Sequence, residues 1–242
     1  MEIPALITVR TSSTRLPKKC LLPFGDGNVL EHVIRRAKHF RLSPIICTTN
    51  ESADDVLEQI AFKEDVPCFR GSVTHKLKRW LDCCNAFALT SFHSVDADDP
   101  FFDGELVKKS MQILIKGFDV VAPTVSSSNG GASVGYSLTK DIISRACEIT
   151  ESDDTEMMWY YLEKVPGLKK TTLPEESDHS IRVRLTLDYE EDYWLARSVQ
   201  RILGSLAPRR EIDRLFRRNP DLYRLNWFRN SEWRSRQMAK RI

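Results

Sequence analysis

Apolar residues along the chain follow two patterns, and the two patterns alternate. Continuous apolar runs are typical of strands buried on both faces of a parallel sheet, and apolar residues spaced three or four apart are typical of amphipathic helices. The runs predict strands at 5–9, 43–50, 66–70 and 118–124, with a further short run at 91–95. The helical spacing predicts helices at 29–40, 52–63, 76–89, 104–115, 139–147, 155–164 and 190–203. This alternation predicts βαβ units and a three-layer α/β/α sandwich around a mainly parallel sheet.

Two segments carry additional local signals. Asn28 and Glu31 have the spacing of a capping box, so we expect the first helix to begin directly after Asn28. Further along, residues 181–187 alternate between apolar and polar side chains. This alternation predicts a strand with one apolar face and with Arg182 and Arg184 on its polar face.

The distribution of charge distinguishes the C-terminal part of the chain from the rest. No linker interrupts the first 205 residues, which predicts one domain at 1–205 and a helical C-terminal extension at 206–242. The formal net charge is only +2, yet the extension contains eleven Lys and Arg residues against four Asp and Glu residues. The body is therefore mildly acidic, and local charge has to explain the binding of any anionic ligand.

Composition excludes several classes of protein. The chain has 242 residues, of which 41% are hydrophobic and 29% are charged, as in ordinary globular domains. No apolar run approaches the roughly 20 residues of a membrane-spanning helix, and residues 1–9 do not have the pattern of a signal peptide. The six cysteines include no CxxC pair and are interpreted as reduced thiols rather than zinc ligands. We therefore expect a cytoplasmic location.

The basic loop at residues 10–19, RTSSTRLPKK, follows the first predicted strand. Its four cations and four hydroxyl groups are the side chains that bind phosphate oxygens, and guanidinium groups form paired hydrogen bonds with them. In open α/β sheets, ligands bind beyond the carboxyl ends of the strands, where this loop would lie. The loop therefore predicts a polyanion site, although an ordinary solvated basic loop has a similar composition.

Acidic residues follow two later segments. The sequence DADDP at 96–100 includes Asp98, and Asp188 follows the predicted strand at 181–187. Carboxylates together with substrate phosphates are the usual ligands of Mg²⁺, so the acids and the basic loop predict a site for a metal–nucleoside triphosphate. The alternative is local: Asp before Pro initiates turns, and Asp188 is also suited to cap the next helix.

Other familiar site motifs are absent from the sequence. There is no GxxxxGK[ST] of a P-loop NTPase, no GxGxxG after the first strand and no GxSxG nucleophile elbow. The five histidines are scattered without the spacing of metal ligands. These absences leave the basic loop and the acids as the main chemical signals.

The segment LITVRTSSTRLPKK (6–19) resembles the opening of the CMP-sugar cytidylyltransferases, whose signature has the form A-R-x-x-S-x-R-L-P-G-K. FRGS (69–72), DADDPFFD (96–103) and RLTLDYEEDY (184–193) resemble later family segments in the same order, and the last points to the spore-coat-polysaccharide branch. The resemblance implies a Rossmann-like, GT-A-type fold and transfer of CMP from CTP to an acidic acceptor. The residues that match the signature are Arg10, Ser13, Arg15, Leu16, Pro17 and Lys19.

The resemblance also implies roles for individual residues. Arg15 and Lys19 correspond to catalytic cations, and Asp98 and Asp188 to the Mg²⁺ ligands. The acceptor in the family is often a 2-keto-3-deoxy sugar acid. Arg182 and Arg184 are candidates to bind its carboxylate. The alternative for both residues is that they lie on a solvated strand edge without a ligand. The remaining residues at nucleotide-binding positions are Arg10, Ser13, Thr48, Gly71 and Ser72.

Three positions depart from the family pattern. Lys18 replaces the glycine of L-P-G-K, His75 replaces an acid that follows the Gly-Ser pair, and Met157 replaces a histidine in EMMWYYL. A phosphate- or phosphonate-bearing acceptor would suit the same cations, so the acceptor class stays open.

Two other functions remain alternatives. A metal-dependent GT-A glycosyltransferase shares the expected fold but lacks the R-x-x-S-x-R-L-P opening. The aromatic and basic residues of the extension are also typical of nucleic-acid binding. We favour a different interpretation, in which the extension is a packed amphipathic segment that covers the site or lies at a homodimer interface. We expect partners limited to CTP and a small acidic acceptor, without nucleic acid or membrane.

Overall fold

The structure of the protein is a computed structural model, and it describes residues 2–175 and 181–239. Within these residues, seven strands form one sheet in the order β5-β4-β1-β6-β8-β7-β9, and two short strands form a separate hairpin, β2-β3. The bounds are β1 Pro4–Thr8, β2 Pro23–Phe24, β3 Gly27–Asn28, β4 Ser43–Thr49, β5 Cys68–Gly71, β6 Ser91–Asp96, β7 Val120–Ala122, β8 Ser137–Thr139 and β9 Lys170–Thr172.

Strand direction confirms the predicted mainly parallel sheet. β1 pairs in parallel with both β4 and β6, and β5 and β9 also pair in parallel with their neighbours. β8 runs antiparallel between β6 and β7. The short strands β8 and β9 were not predicted, because their sequences, SLT and KTT, contain only one apolar residue and give no apolar run.

Helices cover both faces of this sheet. Their bounds are α1 Val29–His39, α2 Asp55–Lys63, α3 Lys76–Ala86, α4 Gly104–Leu114, α5 Lys140–Ile149, α6 Met158–Leu162, α7 Glu190–Leu203, α8 Arg209–Arg218 and α9 Arg229–Ala239. Successive residues of β1 point to opposite faces: Ile7 packs with the apolar residues of α1, α2 and α4, and Leu6 with those of α3, α5 and α6. The three-layer sandwich is therefore confirmed. In the described chain, no helix combines the length and apolar character needed to cross a bilayer.

The predicted start of α1 is confirmed by its cap. The Asn28 side chain accepts a hydrogen bond from the Glu31 amide at 2.9 Å, and the Glu31 carboxylate accepts one from the Asn28 amide at 2.8 Å. This reciprocal pair satisfies two backbone donors that would otherwise lack partners at the helix end.

The predicted strand at 181–187 is wrong. The amides of this segment bond to loops rather than to a strand: Leu185 donates to the Gly130 carbonyl at 2.8 Å and Leu187 to the Asp98 carbonyl at 2.7 Å. Its apolar side chains pack against α7 and α8 in a third apolar cluster. On the other side Arg182 is exposed, whereas Arg184 is fully buried against Asp192 and Asn230.

His93, buried on β6, makes folding stability sensitive to acid. Its Nε2 accepts a hydrogen bond from the Gly135 amide at 3.2 Å, so Nδ1 carries the proton toward the Ser137 hydroxyl at 2.8 Å. Burial lowers the pKa of His93 to about 3, from an ordinary value of 6.5. Between these values the unfolded chain binds a proton that the folded chain does not, so acidification favours unfolding.

We expect the free energy of unfolding, measured by urea denaturation, to fall by about 2–3 kcal/mol more between pH 7 and pH 4.5 in the wild type than in His93→Gln. The exposed His39 supplies the control, since His39→Gln should keep the wild-type pH dependence. An equal acid-induced loss in His93→Gln would contradict the prediction.

Candidate active site

The carboxyl edge of the sheet brings the predicted site segments together. Thr8 at the end of β1 lies opposite Cys47 of β4 and Asp96 of β6 in the parallel register. The basic loop and the segments that follow Cys47 and Asp96 therefore leave the sheet side by side. This is the edge where ligands bind in open α/β sheets.

A buried carboxylate, Asp54, fastens the basic loop to the end of β4. Asp54 Oδ1 accepts hydrogen bonds from the Thr11 amide at 2.8 Å and the Thr11 hydroxyl at 2.7 Å. Asp54 Oδ2 accepts from the hydroxyls of Thr49 at 2.5 Å and Thr48 at 3.3 Å. Burial alone would raise the pKa of Asp54, but these donors hold it below its ordinary value. Asp54 therefore stays ionised and fixes where the loop begins.

The basic loop delivers two cations to two carboxylates. Lys19 Nζ lies 2.5 Å from Asp98 Oδ2 and 3.0 Å from Asp188 Oδ1, and it also donates to the Leu187 carbonyl at 2.7 Å. The Arg15 guanidinium forms an ion pair with the same Asp188 oxygen. Residues separated by up to 173 positions in the chain thus form one charged cluster.

These charges shift one another's protonation. Burial would raise the pKa of Asp188, but Lys19 and Arg15 lower it to about 2. Burial would lower the pKa of Lys19, but the two carboxylates raise it above its ordinary value. For Asp98, burial outweighs the attraction of Lys19, and its pKa is raised. Asp188 is consequently a permanent anion at neutral pH, and Lys19 a permanent cation.

The acids after β6 form a second group of oxygen donors. Ligand atoms of Asp96, Asp98 and Asp99 all lie within 4.8 Å of one another. Burial, followed by the neighbouring Asp98 charge, raises the pKa of Asp99 well above its ordinary value. Clustered carboxylate oxygens are the hard donors that Mg²⁺ prefers in proteins.

The predicted nucleotide-binding residues occupy several parts of the same edge. Arg10 is half-buried and pairs with Glu156 at 3.5 Å, while Thr48 is fully buried against Asp54. Ser13 stays in the basic loop, where its amide bonds to the Thr11 carbonyl at 2.9 Å.

Gly71 and Ser72 form a separate turn at the end of β5. Arg79 donates a hydrogen bond to the Ser72 carbonyl at 2.6 Å, and a Cβ at Gly71 would lie 3.1 Å from Arg79 Cγ and 2.9 Å from the ring of Phe69. Glycine at position 71 therefore permits this close approach, and the buried Arg79 fixes the turn.

Lys18 stands where the family signature has glycine, and its backbone adopts a conformation that glycine favours. Its φ of 52° and ψ of 31° lie in the left-handed region, which glycine enters without the steric cost that a Cβ brings. The Lys18 side chain is exposed. The tight turn is thus kept despite the substitution, with an added cation at the edge of the loop.

His75 and Lys76, which begin α3, were not predicted as site residues. His75 Nδ1 accepts from the Lys78 amide at 3.1 Å and lies 3.2 Å from the Thr155 hydroxyl. The Lys76 ammonium is buried and lies 3.3 Å from Asp96 Oδ1. Asp96 raises the pKa of Lys76 against the lowering effect of burial. The only sequence signal for Lys76 was its position near the Gly-Ser pair.

The two candidate acceptor residues have different surroundings. Arg182 is exposed, with its guanidinium 5.1 Å from the ring centre of Tyr223. Arg184 is bound by Asp192 at 2.9 Å and by Asn230 at 2.8 Å. An acceptor could reach Arg184 only by displacing these buried partners.

A groove of about 660 Å³ lies between α4 and α8. Its lining among the described residues includes Asp103, Arg209 and Arg214 but none of the four members of the charged cluster. Asp103 there serves the fold, since it accepts hydrogen bonds from the amides of Glu105 at 2.8 Å and Arg209 at 3.0 Å. The groove therefore lies apart from the charged cluster at the sheet edge.

This combination of sheet, basic loop and acids has the fold of the nucleotidyltransferases. A cytidylyltransferase from Leptospira borgpetersenii superposes with a TM-score of 0.83 at 26% identity, covering 92% of this chain and 97% of that one. CMP:2-keto-3-deoxy-manno-octonic acid synthetase, solved with CTP, superposes with a TM-score of 0.62 at 13% identity, which supports the fold alone. That match covers 84% of this chain and 99% of the synthetase.

Sequence comparison gives the family. The cytidylyltransferase family model matches residues 4–197, and the chain belongs to that family. The spore coat polysaccharide biosynthesis protein SpsF of Bacillus subtilis is 28% identical over 232 residues, covering 91% of this chain and 96% of SpsF. The resemblance stated from the sequence motifs is thereby confirmed.

The Asp54 contacts predict a specific change in loop order. Removing a buried carboxylate that satisfies four donors should free the basic loop, at a cost of about 1–3 kcal/mol. We expect Asp54→Ala to be cleaved by trypsin at Arg15, Lys18 and Lys19 about tenfold faster than wild type, because local opening precedes cleavage. The adjacent Asp55 pairs with Arg70 at the surface, so Asp55→Ala is the matched control. Equal cleavage of the two variants would show that Asp54 does not hold the loop.

Proposed function

We propose that this cytidylyltransferase transfers CMP from CTP to a small acidic acceptor and releases pyrophosphate. The observation that carries the proposal is the convergence of Arg15 and Lys19 on Asp98 and Asp188 at the carboxyl edge of the sheet. Two fixed cations beside two carboxylates suit a triphosphate bound together with a divalent ion.

The residues of the basic loop have distinct tasks in this reaction. An acceptor oxygen attacks the α-phosphorus in line with the leaving pyrophosphate, and negative charge grows on the phosphate oxygens. Arg15 and Lys19 stabilise that charge, and Arg10 orients the triphosphate once its pairing with Glu156 opens. Because the loop is anchored through Thr11, these cations are held in place before the substrate arrives, which lowers the cost of reorganisation.

Mg²⁺ fits the donor set around Lys19. Asp98 and Asp188 would hold the ion, because their contacts with Lys19 show that both carboxylates converge on one cation. Mg²⁺ would take the place of the ammonium there, which leaves Lys19 to pair with the phosphate oxygens. When bound, Mg²⁺ would neutralise charge on the phosphate oxygens of the nucleotide. The low pKa of Asp188 keeps that ligand ionised.

An acidic sugar is the acceptor class that the relatives favour. The name of SpsF refers to a surface polysaccharide, and the name of the solved synthetase to a 2-keto-3-deoxy sugar acid. We propose the same kind of acceptor, for precursors of a surface polysaccharide, with Arg182 as the more accessible candidate for its carboxylate. We further propose that the protein acts in the cytoplasm as a homodimer.

Pyrophosphate release tests the reaction directly. Each of the four nucleoside triphosphates should be incubated with Mg²⁺ and with panels of sugar acids and of phosphate- or phosphonate-bearing acceptors. We expect release to require CTP and a sugar acid. Release with a phosphonate alone would reassign the acceptor. No release with any triphosphate, together with consumption of a nucleotide sugar in a parallel incubation, would support a glycosyltransferase instead.

If Asp98 is a metal ligand, replacing its carboxylate by an amide should lower turnover strongly. Asp98→Asn keeps the size of the side chain but removes its charge, so turnover should fall on the order of 10²–10³-fold, while circular dichroism should show that the fold is retained without the Lys19–Asp98 ion pair. Asp82 lies at the surface of α3, paired with Lys78, and Asp82→Asn should retain full turnover. If the two variants turn over equally fast, Asp98 has no role in the reaction.

A further inference from the structure

The C-terminal extension reaches the backbone of Asp188 through a buried hydrogen-bond network. Asp192 Oδ2 accepts from the amides of Asp188 and Tyr189, each at 3.0 Å. Both Asp192 oxygens also accept from the Arg184 guanidinium, at 2.9 Å each. The orientation of Asp192 therefore sets the position of the Asp188 backbone.

Two asparagines of the extension complete this network. Asn230 Oδ1 accepts from Arg184 Nη1 at 2.8 Å, and Asn226 Nδ2 donates to Asp192 Oδ1 and to the Arg184 carbonyl, both at 2.9 Å. Asn226 is 0% exposed and Asn230 is 4% exposed. Without Asn230 the buried Arg184 guanidinium would lose an acceptor, and without Asn226 the buried Asp192 carboxylate would lose a donor. Both losses would cost free energy, because water cannot replace the missing partners there.

The two asparagines use opposite ends of their amides. Among the described residues, the second polar atom of each, Asn226 Oδ1 and Asn230 Nδ2, has no hydrogen-bond partner. Asn226 therefore acts only as a donor and Asn230 only as an acceptor. Aspartate has nearly the same shape as asparagine but can only accept when ionised, so it should replace Asn230 and fail to replace Asn226.

Aromatic packing extends the contact to the basic loop. The Tyr189 ring lies 4.7 Å from the guanidinium carbon of Arg229 in the extension and 5.8 Å from that of Arg15 in the basic loop. Arg229 also pairs with Glu191 at 2.8 Å. The extension thus contacts the residues on the C-terminal side of Asp188 directly, as well as through Asp192.

We propose that the C-terminal extension is a positioning element of the active site, in which Asn226 and Asn230 hold Asp192 and Arg184 and thereby fix Asp188. The proposal rests on the proposed function only for its effect on turnover. Removing a group that orients a metal ligand typically lowers metal affinity or activity by 10- to 100-fold. In the proposed site Asp188 is the metal ligand, and the two asparagines orient it through Asp192 and Arg184.

The test compares Asn226→Asp and Asn230→Asp in the full-length protein. Amide hydrogen exchange at Asp188 and Tyr189, which needs no substrate, should accelerate in Asn226→Asp and stay near wild type in Asn230→Asp. Affinity for Mn²⁺ alone, measured by calorimetry, should fall about 10- to 100-fold in Asn226→Asp, and kcat for CTP should fall with it while KM changes little. Asn230→Ala should behave like Asn226→Asp.

Controls separate positioning from general stability. Asn219 is an exposed asparagine at the end of α8, and Asn219→Ala should match wild type in all readouts. Equal behaviour of the two aspartate variants, or unchanged exchange at Asp188 in Asn226→Asp, would overturn the proposal. A wild type without CTP turnover would refute the proposed function, while the exchange data would still decide whether the extension fixes Asp188.

Discussion

The buried carboxylate of Asp188 and the partly exposed carboxylate of Asp98 meet at one cation, the ammonium of Lys19. Removing a charge from water is costly unless it gains a partner of opposite sign and hydrogen bonds. Lys19 satisfies both conditions, because it pairs with Asp98 and Asp188 and also donates to the Leu187 carbonyl. The charged cluster is therefore both an element of the fold and the centre of the proposed chemistry.

This pairing joins parts of the chain that are remote in sequence. Lys19 belongs to the loop after the first strand, Asp98 to the segment after β6, and Asp188 to the segment before α7. Each is held separately: the basic loop by Asp54, the Asp98 carbonyl by the Leu187 amide, and the Asp188 amide by Asp192. These supports keep the charged groups in position without relying on the ligand, as preorganised sites require, and the Leu187–Asp98 bond couples the positions of the two carboxylates.

Local pattern was sufficient for the fold class and for the family motifs. Strand and helix periodicity predicted the alternating core, and the capping box predicted the start of α1. The basic loop stood out because its charged and hydroxyl residues are consecutive. Asp54 and Asp192 did not, since nothing in the sequence distinguishes them from the acids beside them. Their partners are defined by folding; Thr11, the partner of Asp54, is 43 positions away.

The segment at 181–187 shows where periodicity misleads. Alternation indicates one apolar and one polar face, but it cannot reveal that a later part of the chain covers the polar face. Arg184 is buried there because Asp192, Asn226 and Asn230 satisfy its guanidinium and carbonyl groups. A polar residue in an alternating segment can therefore belong to the core when its partners come from elsewhere.

The position of Asn226 and Asn230 also bears on how the protein is made. Synthesis proceeds from the N-terminus, and the domain that carries Lys19, Asp98 and Asp188 emerges from the ribosome before these asparagines do. The network around Asp188 is therefore closed only after translation has passed residue 230. A nascent or proteolytically shortened chain that lacks this segment would keep the Arg184–Asp192 pair but lose the partners of Arg184 Nη1 and of the Arg184 carbonyl, so Asp188 would be completed last.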